Sequence, residues 1–248
     1  MDLRSGNVFF FFKQKKGYEM RRDSYDDISG VTIKKWITVI TGTRRTGKTT
    51  IMRQMIDELV ERGTPRQNIL YYSFDEEQPP LRELMKEYER QMGTVIIHSK
   101  DRYYVFLDEI QKLDDWQSKI KHFYDMYRNL KFVVSGSASL FVLKGIRESL
   151  AGRVIEFELG PLDFREYLRF YQKEYLLEKT RMFEGTLKEE FEKYLVRQYV
   201  EVINESEKLI SQYVQSIIDK IVYVDIPHTF NVDEPHLLMR LVRVFASN

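Results

Sequence analysis

The chain has 248 residues, 43% of them apolar, with 39 Lys and Arg against 38 Asp and Glu, and no cysteine. That length and apolar share suit one α/β core plus a smaller extension, and the net charge of +1 implies no polyelectrolyte partner. Without cysteine there are no disulfides and no thiolate metal sites, which fits a reducing cytoplasm, and His98, His122, His228 and His236 show no ligand spacing.

Residues 1–20 read as a non-native or disordered leader, the native alternative being a short strand or arm packed on the core. Asn7 to Met20 resembles a translated sequencing adapter, and the apolar run Val8 to Phe12 is too short for a membrane span or a signal h-region. The basic run Lys13 to Arg22 is a weak hint of nucleic acid and no more. The core is expected over residues 21–162. Asp26 to Lys35 reads as the approach to a first strand, Trp36 to Thr41, which is apolar and β-branched. Then comes Gly42-Thr43-Arg44-Arg45-Thr46-Gly47-Lys48-Thr49, which fits G-x-x-x-x-G-K-[ST] at every fixed position. Such a loop turns backbone N–H groups inward around a β-phosphate. Lys48 adds a charge at the β/γ oxygens, and Thr49 offers a hydroxyl to Mg²⁺. Thr50 completes the expected binding set. Arg44 and Arg45 could reach phosphates or a partner chain. Ile51, Met52, Met55, Ile56 and Leu59 follow at helical spacing, so the loop sits between a strand and a helix whose positive end faces the phosphates.

Ile69 to Phe74 reads as the second strand, ending in Asp75-Glu76-Glu77, acids that either contact Mg²⁺-bound water or form a solvated strand end. Pro79-Pro80 opens a helix with Leu81, Leu84, Met85, Tyr88 and Met92 on one side. Tyr103 to Leu107 is an apolar strand that ends in Asp108-Glu109. A carboxylate at that tip, beside the loop strand, can hold the Mg²⁺ shell with Thr49, and Glu109 can orient the attacking water. Trp116, Ile120, Phe123 and Tyr127 recur as core aromatics and aliphatics of a helix. Lys131 to Val134 is a further strand, the fourth in chain order, that should lie between the glycine-loop strand and the strand ending in Asp108. Its end, Ser135-Gly136-Ser137, is either a plain turn or a sensor whose Ser135 or Ser137 touches the γ-phosphate or the water. Val154 to Leu159 alternates as a fifth strand, and Gly160-Pro161 breaks the chain.

Asp163 with Glu166 has capping-box spacing and opens a helical extension over residues 163–225. Tyr167 to Tyr199 and Glu205 to Val222 read as charged, aromatic-rich helices, with Tyr213, Ile217 and Ile221 on one buried face. Asp233 is expected to cap a final helix bearing Leu237, Leu238, Leu241 and Phe245. Residues 226–248 read as the start of a truncated C-terminal module.

The pieces ITGTRRTGKTTIMRQ, YVFLDEIQKLDDW, VVSGSASL and LAGRVIEFELGPLDFREYL together resemble the AAA-class P-loop ATPases of archaea and bacteria, close to the STAND group. The resemblance runs from about Ile28 to Tyr171. It implies an α/β P-loop NTPase three-layer sandwich with a parallel sheet ordered 5-1-4-3-2, with ATP and Mg²⁺ as ligands and Glu109 and Lys48 catalytic. Arg153 matches a family arginine that stabilises charge on the transferring phosphoryl group or reports nucleotide state. Acting in trans, it would imply a homo-oligomer. Relatives carry a Gly-Gly-x-Pro-like turn where this chain has Tyr194 to Tyr199, and continue into a winged-helix module through which a protein or DNA partner is expected. No membrane partner is implied. The expected activity is hydrolysis of Mg-ATP to ADP and phosphate in a regulatory or motor switch. The alternative is a nucleotide-gated adaptor for DNA or protein with little turnover. A phosphotransferase is disfavoured, because Glu109 directly follows Asp108 as in water-activating ATPases.

Overall fold

The computed structural model describes residues 20–137, 150–230 and 232–246, so the expected leader up to residue 19 and the stretch after Ser137 in the serine-rich turn lie outside it. The segment read only as an approach to the first strand contains a short helix, α1 (Tyr25–Gly30), with Tyr25 and Ile28 buried on one side. β1 (Ile37–Thr41) is buried at every position. α2 (Lys48–Glu61) starts directly after Gly47. β2 (Ile69–Ser73), α3 (Leu81–Met92), β3 (Tyr103–Asp108), α4 (Trp116–Met126), β4 (Leu130–Gly136) and β5 (Val154–Glu158) follow.

The strands form one sheet in the order β2-β3-β4-β1-β5, and every pairing is parallel. This is the expected order, with β4 between the loop strand and the acidic strand. A parallel sheet needs cover on both faces, and the two-residue period sorts the side chains accordingly. Ile40, Phe106 and Val133 pack with Ile51, Met52 and Met55 of α2 and with Tyr25 and Ile28 of α1. Val39, Val105, Phe132 and Val134 pack on the other side with Leu84 and Tyr88 of α3 and Trp116 and Ile120 of α4. The result is a three-layer α/β sandwich. Parallel strands point the same way, so their C-terminal ends gather the loops after β1, β3 and β4 on one edge.

The chain divides into two compact units, Met1–Gly160 and Pro161–Asn248. In the second, α5 (Phe164–Phe170) opens on the expected capping box: the Glu166 N–H donates to Asp163 at 2.8 Å and the Asp163 N–H to Glu166 at 3.0 Å. The stretch expected as helical through Tyr199 is interrupted. Gln172 adopts φ 56°, a left-handed value that stops α5, and regular helix resumes only at α6 (Glu184–Tyr194). α7 (Glu207–Lys220) is capped by Ser206 and buries Ile210 and Ile217, with Tyr213 and Ile221 half-buried on that face. α8 (Ile226–Phe230) and α9 (Pro235–Ala246) close the described chain. Asp233 is not the cap of α9: Pro235 takes the first helical position, where its missing N–H costs nothing, so Glu234 precedes the helix directly. Met239 is buried there, while Leu237, Leu241 and Phe245 are exposed, because the helix turns that row toward solvent. No helix among the described residues is long and apolar enough to cross a membrane.

Candidate functional site

The glycine loop is held in shape by close packing and hydrogen bonds. A Cβ on Gly42 would lie 2.0 Å from the Leu159 carbonyl oxygen, so only glycine fits where the loop leaves β1. Gly47, at φ 94°, turns the chain into α2. Between them Thr46 Oγ1 donates to the Thr43 carbonyl at 2.9 Å, and the Arg22 guanidinium donates to the Thr46 carbonyl at 2.8 Å and to the Gly160 carbonyl at 3.0 Å. Lys48 is buried, and its Nζ curls back to donate to the carbonyls of Gly42 at 3.0 Å and Thr43 at 2.9 Å.

Asp108 ends β3 and is 3% exposed. Its carboxylate gathers hydroxyls from three elements. Thr49 of α2 donates to Oδ2 at 2.6 Å, Tyr71 of β2 donates to the same oxygen at 3.0 Å, and Ser135 of β4 donates to Oδ1. The Glu109 N–H adds a fourth donor at 3.1 Å. Burial first, and then the Asp108 charge, push the Tyr71 phenol well above its ordinary range, with Arg53 opposing. Tyr71 therefore stays a neutral donor. Glu109 sits at φ 54°, ψ 43°, a left-handed conformation that is strained for a residue with a side chain. Its carboxylate accepts a hydrogen bond from Gln111 Nε2 at 2.6 Å.

Residues 34–168 match the family model for the AAA domain. The chain belongs to that family. It is 29% identical over 213 residues to an uncharacterized protein of Haemophilus influenzae, the match covering 86% of this chain and 52% of that one. It is 31% identical over 150 residues to the uncharacterized protein MJ1544 of Methanocaldococcus jannaschii, covering 58% of this chain and 31% of that one. Among solved structures, an Hsp104–ADP complex of S. cerevisiae is similar with a TM-score of 0.43 at 18% identity, over 60% of this chain and 23% of that chain. The chain thus spans about half the length, or less, of the curated relatives it matches.

Within this AAA domain, the fold brings Gly42, Thr46, Gly47, Lys48 and Thr49 together with Asp108, Glu109 and Ser135. Thr43 and Arg45 are exposed on the loop, and Arg44 and Thr50 are half-buried beside them. Ser135, expected to touch a γ-phosphate or water, is fully buried, and its hydroxyl donates to Asp108. Ser137 stands one residue beyond β4, half-buried. Arg153 is not brought to the loop. It precedes β5, and its carbonyl accepts the N–H of Ile37 at the start of β1, while the loop follows the end of that strand. Five residues of strand put the Arg153 backbone roughly 17 Å from that edge. Its guanidinium pairs with Asp125 at 3.1 Å.

Tyr71, Arg22 and Gln111 went unread in the sequence. Tyr71 looked like one more apolar strand residue; the register that pairs Ser73 with Asp108 is what puts it on the face of the carboxylate. The Thr49 and Asp108 oxygens are hard donors and lie side by side, which suits Mg²⁺. That ion uses one or two carboxylates and keeps waters and phosphate oxygens for its other positions. Among the described residues no group of three or more His, Asp or Glu is arranged to hold a metal ion, and none is needed for such a site.

Proposed function

We propose that this AAA domain, of the STAND-like kind, binds Mg-ATP at residues 42–49 and hydrolyses it to ADP and phosphate. In this reading it serves as the regulatory or motor switch of a larger protein in the cytoplasm. The observation that carries the reading is the meeting of Thr49 and Asp108 at 2.6 Å, with Glu109 next in the chain. Loop N–H groups and Lys48 hold the phosphates. Thr49 and Asp108 would hold Mg²⁺, which neutralises charge on the phosphoryl oxygens when bound. Glu109 accepts a hydrogen bond from the attacking water and draws its proton. Gln111 keeps that carboxylate aimed, and Ser135 and Tyr71 keep Asp108 in place. Ser137 remains the candidate contact to the γ-phosphate. Arg153 stands too far from the phosphates of its own chain, so a role at phosphate would place it at the site of a neighbouring copy and make the active form an oligomer. A protein or DNA partner is assigned to parts of the larger protein outside the AAA domain.

The test is Mg²⁺-dependent phosphate release from ATP by the parent beside Glu109→Gln, with ATP binding measured for both. Turnover in the parent, cut about 100-fold or more in the variant with binding retained, is the expected result. Tight binding without turnover in either protein would favour the adaptor reading, and no binding by the parent would end both.

A further inference from the structure

We infer that Arg22 is a positioning residue that presets the phosphate loop for its anion. This rests on the phosphate-binding reading above and deepens it. Arg22 lies just outside the span matched by the family model, in a segment whose only sequence signal is its charge.

The argument starts from one peptide bond. The Thr46–Gly47 peptide has a side chain on one flank only, and glycine on the other makes rotation of the whole peptide unit easy. Which way it faces decides the chemistry of the loop. In a trans peptide the C=O and the N–H point in opposite directions, and the described chain has no cis bond. Turned one way, the Gly47 N–H faces the concave side where a phosphate would sit. Turned the other way, a carbonyl dipole would face that anion and repel it. Arg22 Nη1 donates to the Thr46 carbonyl at 2.8 Å, which holds the carbonyl to one side and so commits the Gly47 N–H to the other.

The guanidinium is anchored for this task. Its second nitrogen, Nη2, donates to the Gly160 carbonyl at 3.0 Å, and the neighbouring Leu159 N–H continues the sheet pairing by donating to the Thr41 carbonyl at 2.6 Å. The fork therefore ties the middle of the loop to the end of the sheet at two points, a geometry the planar guanidinium supplies and a lysine does not. Thr46 Oγ1 holds the Thr43 carbonyl from inside the loop, so the turn is braced on both sides. The positive charge of Arg22 behind the loop also favours an anion in front of it.

The experiment uses the full chain with Arg22→Ala and Arg22→Lys, reading ADP affinity by calorimetry and unliganded melting temperature in parallel. Arg22→Ala should weaken ADP binding about 10- to 100-fold, and Arg22→Lys should fall between it and the parent. Added methylguanidinium should restore binding to Arg22→Ala while leaving the parent unchanged. A purely structural role would lower the melting temperature of both variants without any rescue of affinity, and that outcome overturns the inference. So does ADP affinity in Arg22→Ala equal to the parent's. If the parent itself binds no ADP, the phosphate-binding reading falls first and takes this inference with it.

Discussion

Lys131 is fully buried in the middle strand of the sheet, where its Nζ donates to the carbonyls of Val31 at 2.9 Å and of Trp36. Burial, and then the nearby charge of Arg102, bring its pKa from 10.5 down to about 7. A base whose folded pKa lies below its unfolded one is neutral in the fold while still protonated in the open chain. Between about pH 7 and 10.5 the unfolded state binds the extra proton, so stability rises with pH across that window. The gain is about 1–3 kcal/mol between pH 7 and 9.5. Thermal melts should show the midpoint climbing over that range in the parent and staying nearly level in Lys131→Met. Parallel curves for the two proteins would mean that Lys131 is charged in the fold. The same scale separates what side chains announce from what they conceal. Lys48, Thr49 and Asp108 are legible because loop spacing and a strand end name them. The hydroxyl that Tyr71 gives to Asp108 is not, because it depends on the pairing of two strands more than thirty residues apart.

The capping box of α5 is a purely local device, complete within four residues, and it was readable for that reason. Asp163→Ala removes the acceptor for the Glu166 N–H and should cost about 1 kcal/mol, which calorimetry would record as a midpoint lowered by about 2–4 °C. No change would mean that water replaces the cap fully. The five strands were legible from their apolar runs, and their order followed from the family pattern. α1 was not, since a helix of six residues has too few turns to establish a period. The interruption after α5 was hidden as well. Gln172 takes a left-handed backbone that glycine would have flagged and glutamine does not. In α9 the apolar spacing was visible, but spacing alone does not say which row faces inward. Met239 does, and the Leu237–Leu241–Phe245 row does not.

Every residue assigned to phosphate, metal or water in cis lies in the first compact unit, Met1–Gly160, and so does the carbonyl that anchors Arg22. A fragment of residues 20–160 should therefore bind ADP within about threefold of the full chain, since it keeps every group assigned to the ligand. Calorimetry on the two proteins checks this; a folded fragment with no affinity would mean that the second unit supplies part of the site. Arg153 shows the limit of motif reading at this scale. A family pattern can name an arginine, but strand direction decides which end of the sheet receives it. The left-handed backbone of Glu109 has a consequence for how such a protein adapts. Asparagine and glycine occupy that conformation with about 1 kcal/mol less strain than glutamate, so selection for heat tolerance alone should enrich them at position 109. If Glu109 draws the proton from water as proposed, the hardier variants recovered from such a screen should still bind ATP and release almost no phosphate, so that endurance and turnover compete for one residue.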